Sequence, residues 1–337
     1  MIFWGAFLVL IAWLLWYMVA VPGKSQSGPL PPLSDEQTAL RDNLHRHVVA
    51  VASREHNLWH IEALEAAARY IEATLAGFGY TPSAQRFTTD GVAIRNIEIE
   101  IAGGARSGEI VIVGAHYDSV QGATGANDNG SGVAAVLELA RLARALKPAH
   151  TLRFVLFVDE EPPFFKSGEM GSRKYAQRAK ERAENIVAMF SLETIGYYSD
   201  EPGSQHYPPP LGVFYPTTGD FIAFVSNLGS RSLLHEVIAS FRRHAQFPSE
   251  GVAAPAFIPG IDWSDQWSFW REGYPALMIT DTAPFRYPYY HTAADAPDKV
   301  DYDRLARVVS GLHEVLVDLA GGSGFRRRWS ASALRQR

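Results

Sequence analysis

Two histidines and three carboxylates stand at the ends of apolar runs or in the loops beside them. His116 ends the run "EIVIVGA", Glu161 closes the acidic triplet after "TLRFVLFV", and Glu193 follows "NIVAMFSL". Asp128 lies in the glycine-rich stretch "GANDNGSG", and His291 lies in "FRYPYYHTAAD" after the run "ALMIT". Imidazole nitrogens and carboxylate oxygens are common ligands of Zn2+. These residue types would form a metal site wherever the fold brings them together.

The elements that must position these residues follow from the hydrophobic pattern. The apolar runs are nearly continuous, which is typical of parallel strands covered by helices on both faces. Helical spacing is seen over residues 130–146, 170–184 and 302–319. The carboxyl ends of parallel strands share one edge of a sheet, where ligands bind. We therefore predict a single α/β domain with a mostly parallel central sheet, and the five residues at one of its edges.

Each of these residues also has an ordinary structural interpretation. His116 could be a hydrogen-bonded core residue, Asp128 a turn residue and helix cap, and the Glu160–Glu161 pair a solvated charged surface. Their coincidence at the strand ends favours the metal site, because clustered carboxylates repel one another unless a cation is present. Two metal ions about 3.5–4 Å apart, bridged by shared ligands, form a known hydrolytic arrangement.

The composition narrows the chemistry. The chain has 337 residues, 47% of them hydrophobic and 20% charged, which is typical of a globular protein. It contains no cysteine, so disulfides and thiolate metal sites are excluded. The formal net charge of -5 argues against a nucleic-acid partner, because such proteins carry a basic surface.

The N-terminus predicts an export or anchoring segment. Residues 2–22 carry no formally charged side chain, and this length would span a bilayer as a helix. We predict a transmembrane anchor over residues 1–22, with a cleaved signal peptide as the alternative. A flexible linker over residues 23–33, a catalytic domain over 34–320 and a basic tail over 321–337 would follow. The catalytic domain is expected outside the cytoplasm, periplasmic or extracellular, and secreted if the segment is cleaved.

Several motifs in order resemble the M28 family of zinc-dependent peptidases, of the aminopeptidase Y and bacterial leucyl aminopeptidase type. They are "GAHYDS", "GANDNGSGVAA", "DEEPPFF", "SLETIGY" and "YYHTAADAPDKVD". The resemblance implies a zinc-peptidase, phosphorylase/hydrolase-like fold and two Zn2+ ions, with Co2+ or Mn2+ as alternatives. It implies that His116 and Glu193 bind one metal, Glu161 and His291 bind the other, and Asp128 bridges both.

The resemblance also implies roles for other residues. Glu160 matches the general base of the family, and Asp118 matches an acid that hydrogen-bonds the metal-bound histidine. A cis peptide bond is expected between Asp128 and Asn129. The sequence departs from the family at "WSDQWSFW", where Gln266 stands in place of a histidine; this departure leaves the metal ligands intact but affects the expected substrate contacts.

The predicted function is that of an aminopeptidase, which hydrolyses N-terminal residues from peptides with a free N-terminus. Dense aromatic residues after position 262 suggest an apolar pocket and a preference for apolar N-terminal residues. Two other classes remain open at this point. One is a single-zinc glutaminyl-peptide cyclotransferase, and the other is a non-catalytic binding ectodomain on the same fold.

Overall fold

The computed structural model describes residues 2–321, apart from the side chains of residues 2, 3 and 320. The strands are β1 Ser83–Thr89, β2 Val92–Ile101, β3 Arg106–His116, β4 His150–Phe157, β5 Asn185–Glu193, β6 Ile222–Ser226, β7 Ser249–Ala253 and β8 Ala276–Thr280. The helices are α1 Ile2–Val19, α2 Asp35–Val51, α3 Ile61–Gly77, α4 Gly132–Ala143, α5 Gly171–Glu181, α6 Arg231–His244, α7 Gln266–Arg271, α8 Ala283–Arg286 and α9 Tyr302–Ala320.

The strands within the described range form one mixed sheet in the order β1-β2-β4-β3-β5-β8-β6-β7. Its centre is parallel, because β3 runs parallel to β4 and β5, and β5 runs parallel to β8. Antiparallel pairing is found at β1/β2, β2/β4 and β6/β8, and the edge pair β6/β7 is parallel. The predicted α/β class with a mostly parallel sheet is confirmed.

Helices cover both faces of this sheet. Strand side chains alternate between faces, and in β3 Val111 and Val113 join the apolar cluster that includes α4 and α9, whereas Ile110 and Ile112 join the cluster that includes α5 and α7. This two-sided burial explains the continuous apolar runs in the sequence. It also fixes the central strands, whose carboxyl ends then serve as a rigid base for polar side chains.

Helix α4 begins later than the pattern suggests. Residues 126–131 form a wide turn in which Asp128 and Asn129 have non-helical backbone angles, and regular helix starts only at Gly132. The peptide bond between Asp128 and Asn129 is cis, as the resemblance implies. The turn places Asp128 at the strand ends instead of within a helix.

The predicted transmembrane anchor is not supported. None of the helices within residues 2–321 has both the length and the apolarity that a bilayer span requires.

The segment predicted as a flexible linker lies against the domain. Arg242 donates hydrogen bonds to the carbonyls of Pro22 and Gly23, and Arg307 donates to the carbonyl of Pro31. Carbonyls in such a segment have no strand partner, so arginine side chains from α6 and α9 can satisfy them. The predicted basic tail, apart from Gly321, lies outside the described residues.

Candidate metal centre

Five side chains meet at the carboxyl edge of the sheet. His116 is the last residue of β3 and Glu193 is the last residue of β5. Glu161 follows β4, Asp128 lies in the turn before α4, and His291 lies in the loop after α8. Because β3, β4 and β5 are parallel, residues far apart in sequence come together in one cluster, as the strand-end pattern predicts.

Asp128 lies between the two histidines. Its Oδ1 is 3.4 Å from Nε2 of His116, and its Oδ2 is 3.1 Å from Nε2 of His291. The nitrogen of His116 also lies 3.4 Å from Oε2 of Glu193. The nitrogen of His291 lies 3.2 Å from Oε2 of Glu161. The five residues thus form two groups, each with one histidine and one glutamate, which share the carboxylate of Asp128.

Several ligand-type atoms of this cluster lack hydrogen-bond partners. Within residues 2–321, buried atoms without a partner include Nε2 of His116, both carboxylate oxygens of Asp128, Oε1 of Glu161 and Nε2 of His291. An unpaired buried polar atom is costly, and here several point at one another. Ligand atoms of His116, Asp128 and Glu161 all lie within 4.8 Å of one another. This donor set fits a divalent metal ion.

The electrostatics of the cluster point the same way. Burial, followed by the nearby Asp128 carboxylate, raises the pKa of Glu161 to about 8. Burial alone would lower the pKa of His291, but its contacts with Asp128 and Glu161 outweigh burial and raise that pKa to about 10. The buried carboxylates therefore require positive charge nearby, and a divalent cation would supply it.

Glu160 lies beside the two groups but is not in close contact with either histidine. Its Oε2 is 3.9 Å from Nε2 of His116, and the residue is only 6% exposed. Burial raises the pKa of Glu160 well above its usual value, and the charge of Glu193 adds to the effect. A buried carboxyl group that borders a metal site without being needed as a ligand is available for proton transfer.

Asp118 makes contacts that differ in part from the family-based expectation. Nδ1 of His116 lies 3.1 Å from the backbone oxygen of Asp118 and 3.6 Å from its carboxylate. The Asp118 carboxylate instead accepts hydrogen bonds from the backbone N–H groups of Glu160 and Glu161, each at 3.2 Å. Asp118 thus orients His116 through its main chain and fixes the acidic loop through its side chain.

Three supporting residues were not identified from the sequence. Asp295 accepts hydrogen bonds from the backbone N–H groups of Asn127 at 2.8 Å and Asp128 at 3.1 Å. Ser264 donates to Oε2 of Glu193 at 2.6 Å, and Asn129 donates to the carbonyl of Leu192 at 2.8 Å. Nothing in local composition separates these buried loop residues from solvated ones. Asp295 lies four residues after His291, within the same family-like motif, and this spacing could have drawn attention to it.

The residues around the departure at Gln266 lie in the wall of the site. Gln266 is fully buried, and its side-chain amide donates to the carbonyl of Ile261 at 3.1 Å. An apolar pocket opens beside the centre and has Glu193 in its wall. The pocket lining includes three of the aromatic residues that follow position 262, namely Trp263, Phe285 and Tyr290. Tyr290 also stacks on His291, with ring centroids 3.8 Å apart.

Comparison with known proteins agrees with the geometry. The family described as "Peptidase family M28" matches residues 96–316. The chain is 38% identical over 265 residues to the uncharacterized protein YfbL of Escherichia coli (strain K12), covering 76% of this chain and 80% of that protein. It is 30% identical over 253 residues to leupeptin-inactivating enzyme 1 of Streptomyces exfoliatus, covering 73% of this chain but only 54% of that protein.

Solved structures share the fold. The aminopeptidase from Aneurinibacillus sp. strain AM-1 matches with a TM-score of 0.63 at 19% identity, covering 85% of this chain and 96% of that one. The Bacteroides thetaiotaomicron glutaminyl cyclase bound to N-acetylhistamine matches with a TM-score of 0.62 at 18% identity, covering 86% and 99%. These likenesses concern the fold alone. With more than half of its length matched to the family, the chain belongs to peptidase family M28 and is a hydrolase that acts on peptide bonds.

Proposed function

We propose that the chain is a dinuclear metal aminopeptidase, which removes N-terminal residues from peptides. The observation that carries this proposal is the position of Asp128, whose two carboxylate oxygens face different histidines. A single metal ion would leave one of these groups unsatisfied. A carboxylate shared by two metal ions satisfies both.

The proposed ligands follow from the two groups. His116, Glu193 and Oδ1 of Asp128 would hold one ion, and His291, Glu161 and Oδ2 of Asp128 would hold the other. Zinc suits ligands of nitrogen and oxygen type, with cobalt and manganese as alternatives. When bound, two such ions would polarise the scissile carbonyl and lower the pKa of a water molecule.

Glu160 is the proposed general base. It accepts a proton from the attacking water and then donates a proton to the leaving amine, because peptide hydrolysis requires both transfers. Its burial and its position 3.9 Å from His116 support this role. Asp118 supports the same step indirectly, since it holds the backbone of Glu160 in place.

Action at the N-terminus is supported by the acidic surroundings of the site and by relatives that carry the name aminopeptidase. A free α-amino group is cationic or a metal ligand, and either form would be held by this cluster. The test uses leucyl and alanyl anilides with the full chain. Cleavage should stop with a chelator, return with added zinc, and be lost when the α-amine is acetylated. Cleavage of acetylated peptides at internal bonds would discard the aminopeptidase assignment.

A glutaminyl cyclase is the competing assignment, since solved glutaminyl cyclases also share the fold of this chain. The pairing of both His116 and His291 with Asp128 favours the two-metal hydrolase, because cyclisation needs no activated water. A peptide that begins with glutamine distinguishes them by mass. Loss of ammonia with the peptide bond intact, and no cleavage of other peptides, would favour the cyclase.

A further inference from the structure

One row of neighbouring strand residues lines the apolar pocket. Glu193 pairs in register with Thr280, Thr280 with Ala223, and Ala223 with Glu250. All four line the same pocket. The row crosses three inter-strand gaps, so at about 4.8 Å per gap its ends are separated by about 14 Å. One end is a proposed metal ligand, and the other end is a second carboxylate.

Glu250 interrupts an otherwise apolar surface. On β7, Glu250 and Val252 share a face, and the neighbouring Ala223, Val225 and Met278 belong to the apolar cluster of this region. An apolar side chain at position 250 would continue the pattern. An acid at this register adds nothing to the apolar packing and places a negative charge in the wall of the pocket.

The carboxylate of Glu250 has no hydrogen-bond donor among residues 2–321. Its side chain is 25% exposed, and its nearest cation, Nη2 of Arg242, lies 3.8 Å away, beyond hydrogen-bond distance. The Arg242 donors are directed instead to Ser249, Pro22 and Gly23. Glu250 is thus paired with Arg242 only as an ion pair, and its partly exposed carboxylate remains able to accept hydrogen bonds from a ligand in the pocket.

The space between the two ends suits a long side chain. Free space in the pocket, taken as the room open to the centre of a water molecule, is about 90 Å³. A lysine or arginine side chain extends ~6–7 Å from its Cα to the charged nitrogens, and a glutamate side chain adds ~4 Å, by ordinary bond lengths. Together the two side chains cover most of the length of the row. The remaining length would hold the substrate carbonyl at the metal centre.

We propose that Glu250 is a specificity-determining residue that selects peptides with lysine or arginine at the N-terminus. The aliphatic part of the side chain lies along Ala223, Val225 and Met278, as such chains do on apolar surfaces. The ammonium or guanidinium group donates to Glu250, and such charge-assisted bonds are the strong ones. A leucine in the pocket would exclude water from Glu250 without supplying a hydrogen-bond donor in its place. This inference rests on the proposed aminopeptidase function and narrows its substrate class.

The test compares lysyl, arginyl, norleucyl and leucyl anilides on the zinc-loaded full chain. Norleucine has the carbon chain of lysine without the amine, so the lysyl to norleucyl ratio of kcat/KM isolates the charge. We expect a ratio of at least ten for the wild type, falling toward one in Glu250→Gln. The control is Glu236→Gln, which changes a half-buried acid of α6 that does not line the pocket, and the wild-type ratio should persist in it.

The outcomes separate the two proposals. A wild-type ratio near or below one, or an unchanged ratio in Glu250→Gln, overturns the role of Glu250 while the aminopeptidase assignment stands. Failure of the metal-loaded wild type to cleave any of the four substrates overturns the aminopeptidase assignment and this inference with it. If Glu250→Gln fails to fold, Glu250→Met replaces it, and the wild-type ratio alone still decides.

Discussion

At the scale of single residues, the site is organised around the contrast between Asp128 and Glu160. Both are buried acids at the same sheet edge, but Asp128 contacts two histidines and Glu160 contacts neither closely. A carboxylate whose two oxygens face different histidines suits a bridging ligand, and a carboxylate without such contacts suits proton transfer. The two roles therefore predict opposite consequences for conservative substitutions.

Glu160→Gln should keep the metal and lose turnover. The amide cannot accept the proton from water or return it to the amine, and each transfer contributes about 10²–10⁴-fold. We expect kcat to fall by several orders of magnitude, measured with an aminoacyl anilide alongside metal content. Glu181→Gln, at an exposed site on α5, serves as the control. Near-normal turnover in Glu160→Gln would contradict the assignment and redirect attention to Asp159.

Asp295 allows a test of how Asp128 is positioned. Its two carboxylate oxygens accept the backbone N–H groups of Asn127 and Asp128, so Asp295→Asn leaves one N–H facing an amide NH2. Residues that orient metal ligands typically change metal affinity 10–100-fold, and we expect a loss of this size in competition with a chromogenic chelator. Asp298→Asn, with an exposed side chain, should bind metal as the wild type does. Equal metal affinities for the two variants would contradict the role of Asp295 in positioning Asp128.

At the scale of elements, the start of α4 is fitted tightly against the end of β5. A Cβ at Gly132 would come closer than van der Waals contact to Oδ1 of Asn129 and to the carbonyl of Leu192. The same Asn129 oxygen accepts the backbone N–H groups of Gly132 and Thr194, each at 3.1 Å. The glycine therefore permits the helix, the turn and the strand end to meet at the metal site.

Gly132→Ala should lower the free energy of unfolding by about 1–3 kcal/mol, because overpacking a close contact forces the backbone apart. Urea unfolding of the metal-free chain measures this without a contribution from bound zinc. Gly168→Ala is the matched control, since a Cβ there meets no atom within 4 Å and its φ is not in the left-handed region. A Gly132→Ala variant as stable as Gly168→Ala would show that the contact is not restrictive.

Element patterns explain what could be predicted from the sequence. Central strands are buried on both faces, so their apolar runs marked the positions of His116, Glu161 and Glu193 at strand ends. The edge strand β7 reads "SEGVA", which is short and weakly apolar, and no strand was predicted there. The register that aligns Glu250 with Glu193 depends on pairing between strands distant in sequence, and local patterns do not encode it. The same holds for Asp295, whose partners lie 167 and 168 residues away.

At the scale of the whole molecule, the N-terminal segment bears on the site of action. We propose that the catalytic domain works outside the cytoplasm, supported by the uncharged apolar stretch over residues 2–22, a feature that export signals share. Protease added to intact cells or spheroplasts should degrade the domain, while a cytoplasmic marker stays intact. Full protection of the domain until the cells are lysed would contradict this location.

The most direct test of the dinuclear site is the number of metal ions bound per chain. The purified full chain is stripped with a chelator, titrated with zinc, freed of excess and analysed for metal by mass spectrometry. Two groups of ligands that share Asp128 predict two zinc ions per chain, and activity that requires both. Asp298→Asn should match the wild type, and Asp128→Asn should bind less than the wild type. A wild-type stoichiometry that stays at one in excess zinc, with full peptidase activity, would contradict the dinuclear site.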